Sequence, residues 1–515
     1  MKIKKLMALF LTATTLAACL TGCGEEEAKN AASSSSSSEA KESTAEKSSE
    51  EDNTSDDELE FVTLTWYYPG NYPQNDQDEV FAALNEKIKE KINAEVNFQP
   101  ISWGDYDSKM VLADSSGEEY DLCFTSDWSN NYLQNVTKGA YLPLDDLLKE
   151  YAPQTYASVP EEFWNATRVD GKIYGIINQQ IIARTSLITI NKELADKYNF
   201  DPKSIDSNLD NLEPFLQQMA ANDPDKCGFS MNFNPDNAYY FGLEMLGGLT
   251  NPAGVYMNDA EGTIVNIFKT DEFKGFVEKM YEWNQAGYIM GEDGLAGGNP
   301  YPEQEGKRGS WMSGTYKPGV ESEETLKWGL EVYCEPVSEP YVATAGVVAT
   351  MHAIGRNSQN PERAMMLMEL LNTDKEIFNM LAYGLEGKHY NKLDGDFIEQ
   401  IPDSGYAPGT AWLHASTFNA YLLEGQDADL WEQTKALNAS AKVSPLLGFN
   451  FDATSVSTEL AQCASVVNQY MPLFSNGVGS LEGDYVEFIE KLDKAGAQTI
   501  IDEMQKQVDA WKSGN

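Results

Sequence analysis

From residue 61 onward, apolar positions alternate between short strand-like runs and longer runs spaced by three and four. Phe61-Val62-Thr63-Leu64-Thr65-Trp66-Tyr67-Tyr68 has the β-branched and aromatic content of a strand and stops at Pro69-Gly70. Val80, Phe81, Leu84, Ile88 and Ile92 follow at helical spacing. Residues 94–101 return to a strand pattern that ends at Ser102-Trp103-Gly104. A helix is predicted from near Asp105, with Tyr106, Met110 and Val111 on its apolar face, and Leu122-Cys123-Phe124-Thr125 reads as a third strand. Strands alternating with helices in this rhythm predict parallel pairing through right-handed crossovers. The first domain is therefore α/β.

Tyr141 to Leu148 reads as a short strand entering a helix, and residues 171–177 and 186–191 as strands bracketing Asn178-Gln179-Gln180. Helices are expected over 213–221, 271–286 and 361–371, a buried strand over 346–354, and one long C-terminal helix over 485–511.

The start of the chain belongs to a different regime. Lys2, Lys4 and Lys5 precede an apolar run over 6–18, which falls short of the roughly 20 residues that span a bilayer. Leu20-Thr21-Gly22-Cys23 then resembles the lipobox of bacterial lipoproteins, in which the Cys thiol is acylated and cleavage falls just before it. Leu16-Ala17-Ala18-Cys19 is a second match. Cys23 is preferred because Gly24 and an acidic run follow it, whereas Leu20 continues the apolar segment. Residues 24–60 are Ser-rich and acidic and nearly devoid of apolar side chains, the composition of a flexible tether. The expectation is an exported protein, anchored to the membrane by lipid only, on the extracytoplasmic face.

Charge and cysteines narrow the functional classes. Against 37 Lys and Arg stand 81 Asp and Glu, for a net charge of −44. Such a balance argues against nucleic acid, whose binding needs clustered cations. Once Cys19 and Cys23 are set aside, Cys123, Cys227, Cys334 and Cys463 remain, with no C-x-x-C pair to suggest zinc or redox chemistry. Buried free thiols are the default, and a disulfide among them is not deducible. No metal site and no cofactor are expected.

The order of these pieces resembles the extracellular solute-binding proteins of bacterial ABC importers. It is similar in particular to the family 1 type and to its lipoprotein branch with a C-terminal extension of the DUF3502 type. Four stretches carry the resemblance: Thr63 through Gly70; Trp103-Gly104-Asp105-Tyr106 with Gly117 through Leu122; Asp170-Gly171-Lys172-Ile173-Tyr174-Gly175-Ile176; and Tyr383 through Tyr390 with Gly448-Phe449-Asn450-Phe451-Asp452. It implies the periplasmic-binding-protein type II fold, two α/β lobes joined by a hinge and closing on an interlobe cleft. The expected division is 1–22 signal peptide, 23–60 tether, 61–185 plus 342–392 lobe one, and 186–341 plus 393–515 lobe two. It also implies a monomer that captures an oligosaccharide or other small solute and hands it, in the closed form, to the membrane permease subunits. A peptide ligand is the alternative.

In open α/β sheets the ligand crevice lies beyond the carboxyl ends of the strands. That rule nominates Trp66, Tyr67 and Tyr68, then Trp103 and Asp105, then Asp127 and Trp128, then Asn178 and Gln179. Sugars suit this set, because their C–H faces pack on aromatic rings while Asp, Asn and Gln pair with hydroxyls. Trp311 and Tyr316 are candidates on the second lobe, and Tyr383, Trp412 and His389 further ones; Trp283 and Trp511 sit on helical apolar faces and read as core. At His389 a structural role and a ligand contact are both open. Arg184 suits an anionic ligand group or a salt bridge, and Asn450 and Asp452 suit the cleft or a tight turn. The rival from another class is a secreted glycosidase, needing aromatics and two carboxylates. No G-x-S-x-G, H-E-x-x-H or P-loop occurs, and the only histidines are His352, His389 and His414. No catalytic residue is therefore assigned, and binding rather than catalysis is expected.

Overall fold

A computed structural model describes residues 59–296 and 301–514. Cys19, Cys23 and most of the tether lie outside these residues. The first strand, Val62–Gly70, is buried from Trp66 to its end rather than alternately, so the sheet it joins is covered on both faces there. It pairs in parallel with Ala94–Ser102 on one side and Leu122–Thr125 on the other. Met351–Ile354 and Ile176–Ile177 extend this sheet in antiparallel pairing. The crossover helix Gln77–Ile92 buries Val80, Leu84, Ile88 and Ile92, the stripe the spacing predicts. The next, Tyr106–Ser116, buries Tyr106, Met110 and Ala113. Val111, expected on that inner face, is 63% exposed.

A second sheet has the order Val332–Pro336, Ser186–Asn191, Arg308–Thr315, Cys227–Met231. Helices Asp271–Gln285 and Ser457–Ser475 supply Phe273, Phe276, Val467 and Phe474 to its core. The hydrophobic interior thus falls into two main clusters, one around the first sheet and one around the second. Tyr406, Leu413, Ala415 and Ala420, expected with the second lobe, pack into the first cluster, and return to the second begins only after residue 441. The four body cysteines are buried free thiols.

Two element expectations differ from the structure. Of the apolar run 346–354 only Met351–Ile354 is strand, because Thr344–Val347 closes as a helical turn. Short apolar runs carry no period that separates the two. The C-terminal helix is broken into Val486–Lys494 and Ala497–Gly514. Gly496 makes the break with φ of +91°, and a Cβ there meets Glu459 Cγ at 2.6 Å. Replacement Gly496→Ala is expected to cost about 1–2 kcal/mol through the left-handed backbone alone. A calorimetric melt should show a lowered Tm, and an unchanged Tm means the break does not need glycine.

Candidate functional site

The first three parallel strands end side by side, and each end contributes to one surface. Asn71 follows the first strand, Trp103 the second and Trp128 the third. The short helix Ala411–His414 brings Trp412 against them. Trp103 and Trp412 lie nearly parallel, with ring centres 6.0 Å apart and planes at 11°. Trp128 completes the group at 6.0 Å from Trp103 and 6.3 Å from Trp412. Trp103 and Trp128 are 38% and 51% exposed, unusual for so large an apolar ring.

Both exposed indoles are held by their N–H groups. Trp103 Nε1 donates to Asn71 Oδ1 at 3.0 Å, and Asn71 Nδ2 in turn donates to the Pro408 carbonyl at 2.9 Å. Trp128 Nε1 donates to the Ala349 carbonyl at 2.8 Å. Both N–H edges are therefore tied while part of each ring remains exposed. Asp105 stands exposed beside Trp103 and accepts from Ser102 Oγ at 2.6 Å. Asp127 is open to solvent yet walled by protein on most sides. That crowding raises its carboxyl above the usual range; Arg184 opposes the rise and Asp236 of the second lobe adds to it. Arg184 reaches across the hinge, its Nη1 donating to Thr315 Oγ1 at 3.3 Å.

Beneath the platform lies a second aromatic layer. Trp66 packs 4.9 Å from Tyr68, 5.2 Å from His352 and 6.0 Å from His414. Asn178 ties this layer to the helix carrying Trp412, since its Nδ2 donates to the Leu413 carbonyl at 2.6 Å. Its Oδ1 then faces His352 Nδ1 at 3.2 Å as acceptor, which assigns the proton to that ring nitrogen. Burial pushes both imidazoles down to about 3, and His414 lowers His352 further. Both are neutral in the fold.

Six of the expected contact residues lie elsewhere. Trp66 and Tyr68 are fully buried in that lower layer, because both faces of their strand are covered. Tyr67 points to the opposite face, where its hydroxyl donates to Glu118 Oε1 at 2.7 Å. Asn178 is a buried brace. Trp311 is buried edge-on to Trp328 at 5.6 Å in a small cluster of the second lobe. His389 is buried too: Nδ1 accepts from the Leu385 amide at 2.8 Å and Nε2 faces Asp76 at 3.3 Å, holding a loop to the helix Gln77–Ile92. Gln179 is half-buried and donates to Ser158 Oγ at 2.6 Å, and Tyr383 is half-buried, its hydroxyl directed at the Tyr421 carbonyl. Asn71, which the strand-end rule does not nominate, braces Trp103, and Trp412 packs beside Trp103 and Trp128 although other expected residues are buried. No periodicity marks the 406–420 segment; only the position of Asn71 just past Pro69-Gly70 was available as a signal.

Residues 74–377 match the family described as bacterial extracellular solute-binding protein, and residues 445–513 match a domain of unknown function, DUF3502. The chain belongs to the bacterial extracellular solute-binding proteins. A carbohydrate ABC transporter substrate-binding protein of Streptococcus pneumoniae is 29% identical to it over 468 residues, 88% of this chain and 92% of the relative. The polygalacturonan/rhamnogalacturonan-binding protein YtcQ of Bacillus subtilis is 22% identical over 349 residues, 64% of this chain and 67% of its own. Among solved structures, the N-glycan transport solute-binding protein of S. pneumoniae superposes with a TM-score of 0.78 at 27% identity, covering 87% of this chain and 98% of that one. These solute-binding relatives share the two-lobed α/β architecture.

The neutral histidines make the layer under the platform acid-sensitive. A group whose folded pKa is depressed to about 3 adds no penalty above the unfolded value near 6.5, and progressively destabilises the fold as pH falls from 6.5 toward 3. The Tm is expected to fall over that interval, and to fall less steeply in a His414→Gln variant. Parallel pH profiles for the two proteins would remove His414 as a cause.

Proposed function

We propose that this solute-binding protein captures an oligosaccharide on the Trp103–Trp128–Trp412 platform and delivers it to the membrane permease subunits of an ABC importer. The observation that carries the reading is a contiguous group of three indoles, of which Trp103 and Trp128 are exposed with their N–H groups already bonded. A partly exposed aromatic surface with fixed edges suits the C–H faces of sugar rings. Asp105 and Asp127 flank the rings and supply acceptors for sugar hydroxyls. Support comes also from the relatives. The S. pneumoniae N-glycan transport protein has been solved with Man1GlcNAc and with Man5GlcNAc, and these complexes superpose on the present chain with TM-scores of 0.69 and 0.66, against 0.78 for the structure named without a sugar. One protein yielding different fits is the behaviour of lobes that move relative to each other. The present chain sits nearer the arrangement named without sugar.

The cleft is a binding site rather than a catalytic one in this reading, since the matched relatives are named as binding proteins. Anchoring belongs to the same proposal: acylation at Cys23, in Leu20-Thr21-Gly22-Cys23, and a tether over 24–60 hold a monomeric body on the outer face of the membrane. Lobe one comprises 61–185, 342–392 and, from its packing, residues up to about 441; lobe two comprises 186–341 and the C-terminal segment.

With Man5GlcNAc as first probe, Trp128→Ala and Trp412→Ala are each expected to weaken binding by about 1–3 kcal/mol in titration calorimetry. Trp311→Ala, which removes a buried ring from a separate cluster of the second lobe, should lower stability and leave the dissociation constant of the folded protein unchanged. Equal affinity in both platform variants, for every neutral glycan that the wild type binds, overturns the platform; binding of short peptides alone overturns the sugar. Cys23→Ser should release the protein from the membrane fraction, and retention there would assign the anchor to Cys19.

A further inference from the structure

The chain crosses between lobes at 178–186, 337–343 and 441–449, and these crossings form a small ladder. Arg184 and Tyr341 exchange backbone hydrogen bonds of 2.7 and 2.9 Å. Tyr341–Val342 pairs in parallel with Lys442–Val443, and the Ser444 amide donates to the Val342 carbonyl at 2.8 Å. One side chain of the second lobe reaches two of the three crossings at once. Glu244, on the strand Leu243–Met245, is 3% exposed and accepts with Oε2 from Tyr341 Oη at 3.1 Å and from Ser444 Oγ at 2.7 Å.

No lysine or arginine pairs with Glu244 among the described residues. The groups facing it are Tyr341 from the second crossing, Ser444 from the third, and Tyr239, whose ring lies 5.7 Å from that of Tyr341. Val255 of the neighbouring strand pairs with it through backbone only. Arg184 and Asp236 act on Tyr239, one step further out. A carboxylate buried with two hydroxyl donors and no cation is stable only while neutral or while water can reach it.

We propose that Glu244 is a proton-operated pin of the hinge, fastening the second and third crossings to the second lobe when protonated and loosening them when ionised. Burial lifts its carboxyl up to about 7, against the opposing pull of Ser444 and Tyr341. The sign follows. A carboxyl whose folded pKa exceeds its unfolded value costs nothing below about 4.5, and its ionisation is penalised increasingly until the folded pKa is passed near 7. The hinge as observed is therefore favoured on the acid side of 7, and on the alkaline side the carboxylate favours arrangements that hydrate it. Because the crossings set how the lobes lie, protonation couples to lobe geometry and through it to ligand affinity.

The hinge role rests on the two-lobed fold and not on the identity of the ligand, so its test needs none. Hydrogen exchange on the full chain, corrected for the intrinsic pH dependence of amide exchange, reads the amides of Tyr341, Lys442 and Ser444 against those of the first sheet. Between about pH 6 and about pH 8 the hinge amides are expected to lose protection roughly fivefold or more while the sheet amides do not. Glu244→Gln, neutral at every pH, should abolish that dependence. Tyr341→Phe removes one donor to the carboxylate and should move the midpoint upward, which keeps the proposal testable if the Gln variant folds poorly. Flat hinge protection in the wild type, or an unchanged midpoint in both variants, overturns the pin. Loss of glycan binding with the pH dependence intact would bear on the platform alone.

Discussion

The structure depends on the separation of its two main hydrophobic interiors. Each lobe buries its own sheet against its own helices, and the clusters around Trp66 and Phe229 do not merge. Close-packed interiors resist gradual deformation. What joins them is a ladder of backbone bonds between Arg184, Tyr341 and Ser444, reinforced by Asn438, whose Oδ1 accepts from the Ile182 and Ala183 amides at 2.9 and 3.0 Å. The crossings are where the arrangement of the lobes could change without repacking either interior. Any ligand held by both lobes acts on that ladder.

Separation also explains where the aromatic rings go. A strand covered on both faces leaves no free side until it ends, so the accessible rings on lobe one sit just past the strand ends. Trp103 and Trp128 are free there because their N–H groups are satisfied by Asn71 and Ala349. A ring already fixed in its rotamer surrenders little conformational entropy when a ligand lands on it. The cost is carried underneath. Trp66 Nε1, Tyr68 Oη and both His414 nitrogens are buried without a protein hydrogen-bond partner, and two imidazoles are kept neutral.

Much of this was legible in the chain. The helical stripe Val80, Leu84, Ile88, Ile92 is legible from its period, the three strands before residue 126 from their β-branched and aromatic content and bounding turns, and the strand-end rule places Trp103 and Trp128 where the structure leaves them exposed. The same rule failed at Trp66, Tyr68 and Asn178, because it places residues along a strand and says nothing of what covers the sheet. Here the cover is the 406–420 segment, which arrives from more than 330 residues further along the chain and carries no period of its own. Trp412 and the burial of Tyr68 have this single cause. Glu244 was invisible for a related reason: a carboxylate among 81 acidic residues carries no mark of burial until the fold places Tyr341 and Ser444 against it.

Two groups of opposite pH response then divide the molecule between them. Below pH 6.5 the neutral histidines under the platform weaken lobe one, and above about 4.5 the buried carboxyl of Glu244 begins to weaken the hinge. Their effects add only in global stability, since one lies within a core and the other at the crossings. A change in the lobe-one layer alters whether Trp412 is held in place; a change at Glu244 alters how the lobes face each other. The platform can therefore remain formed while the hinge responds to protons across neutrality, because the imidazoles have completed their titration well below that range.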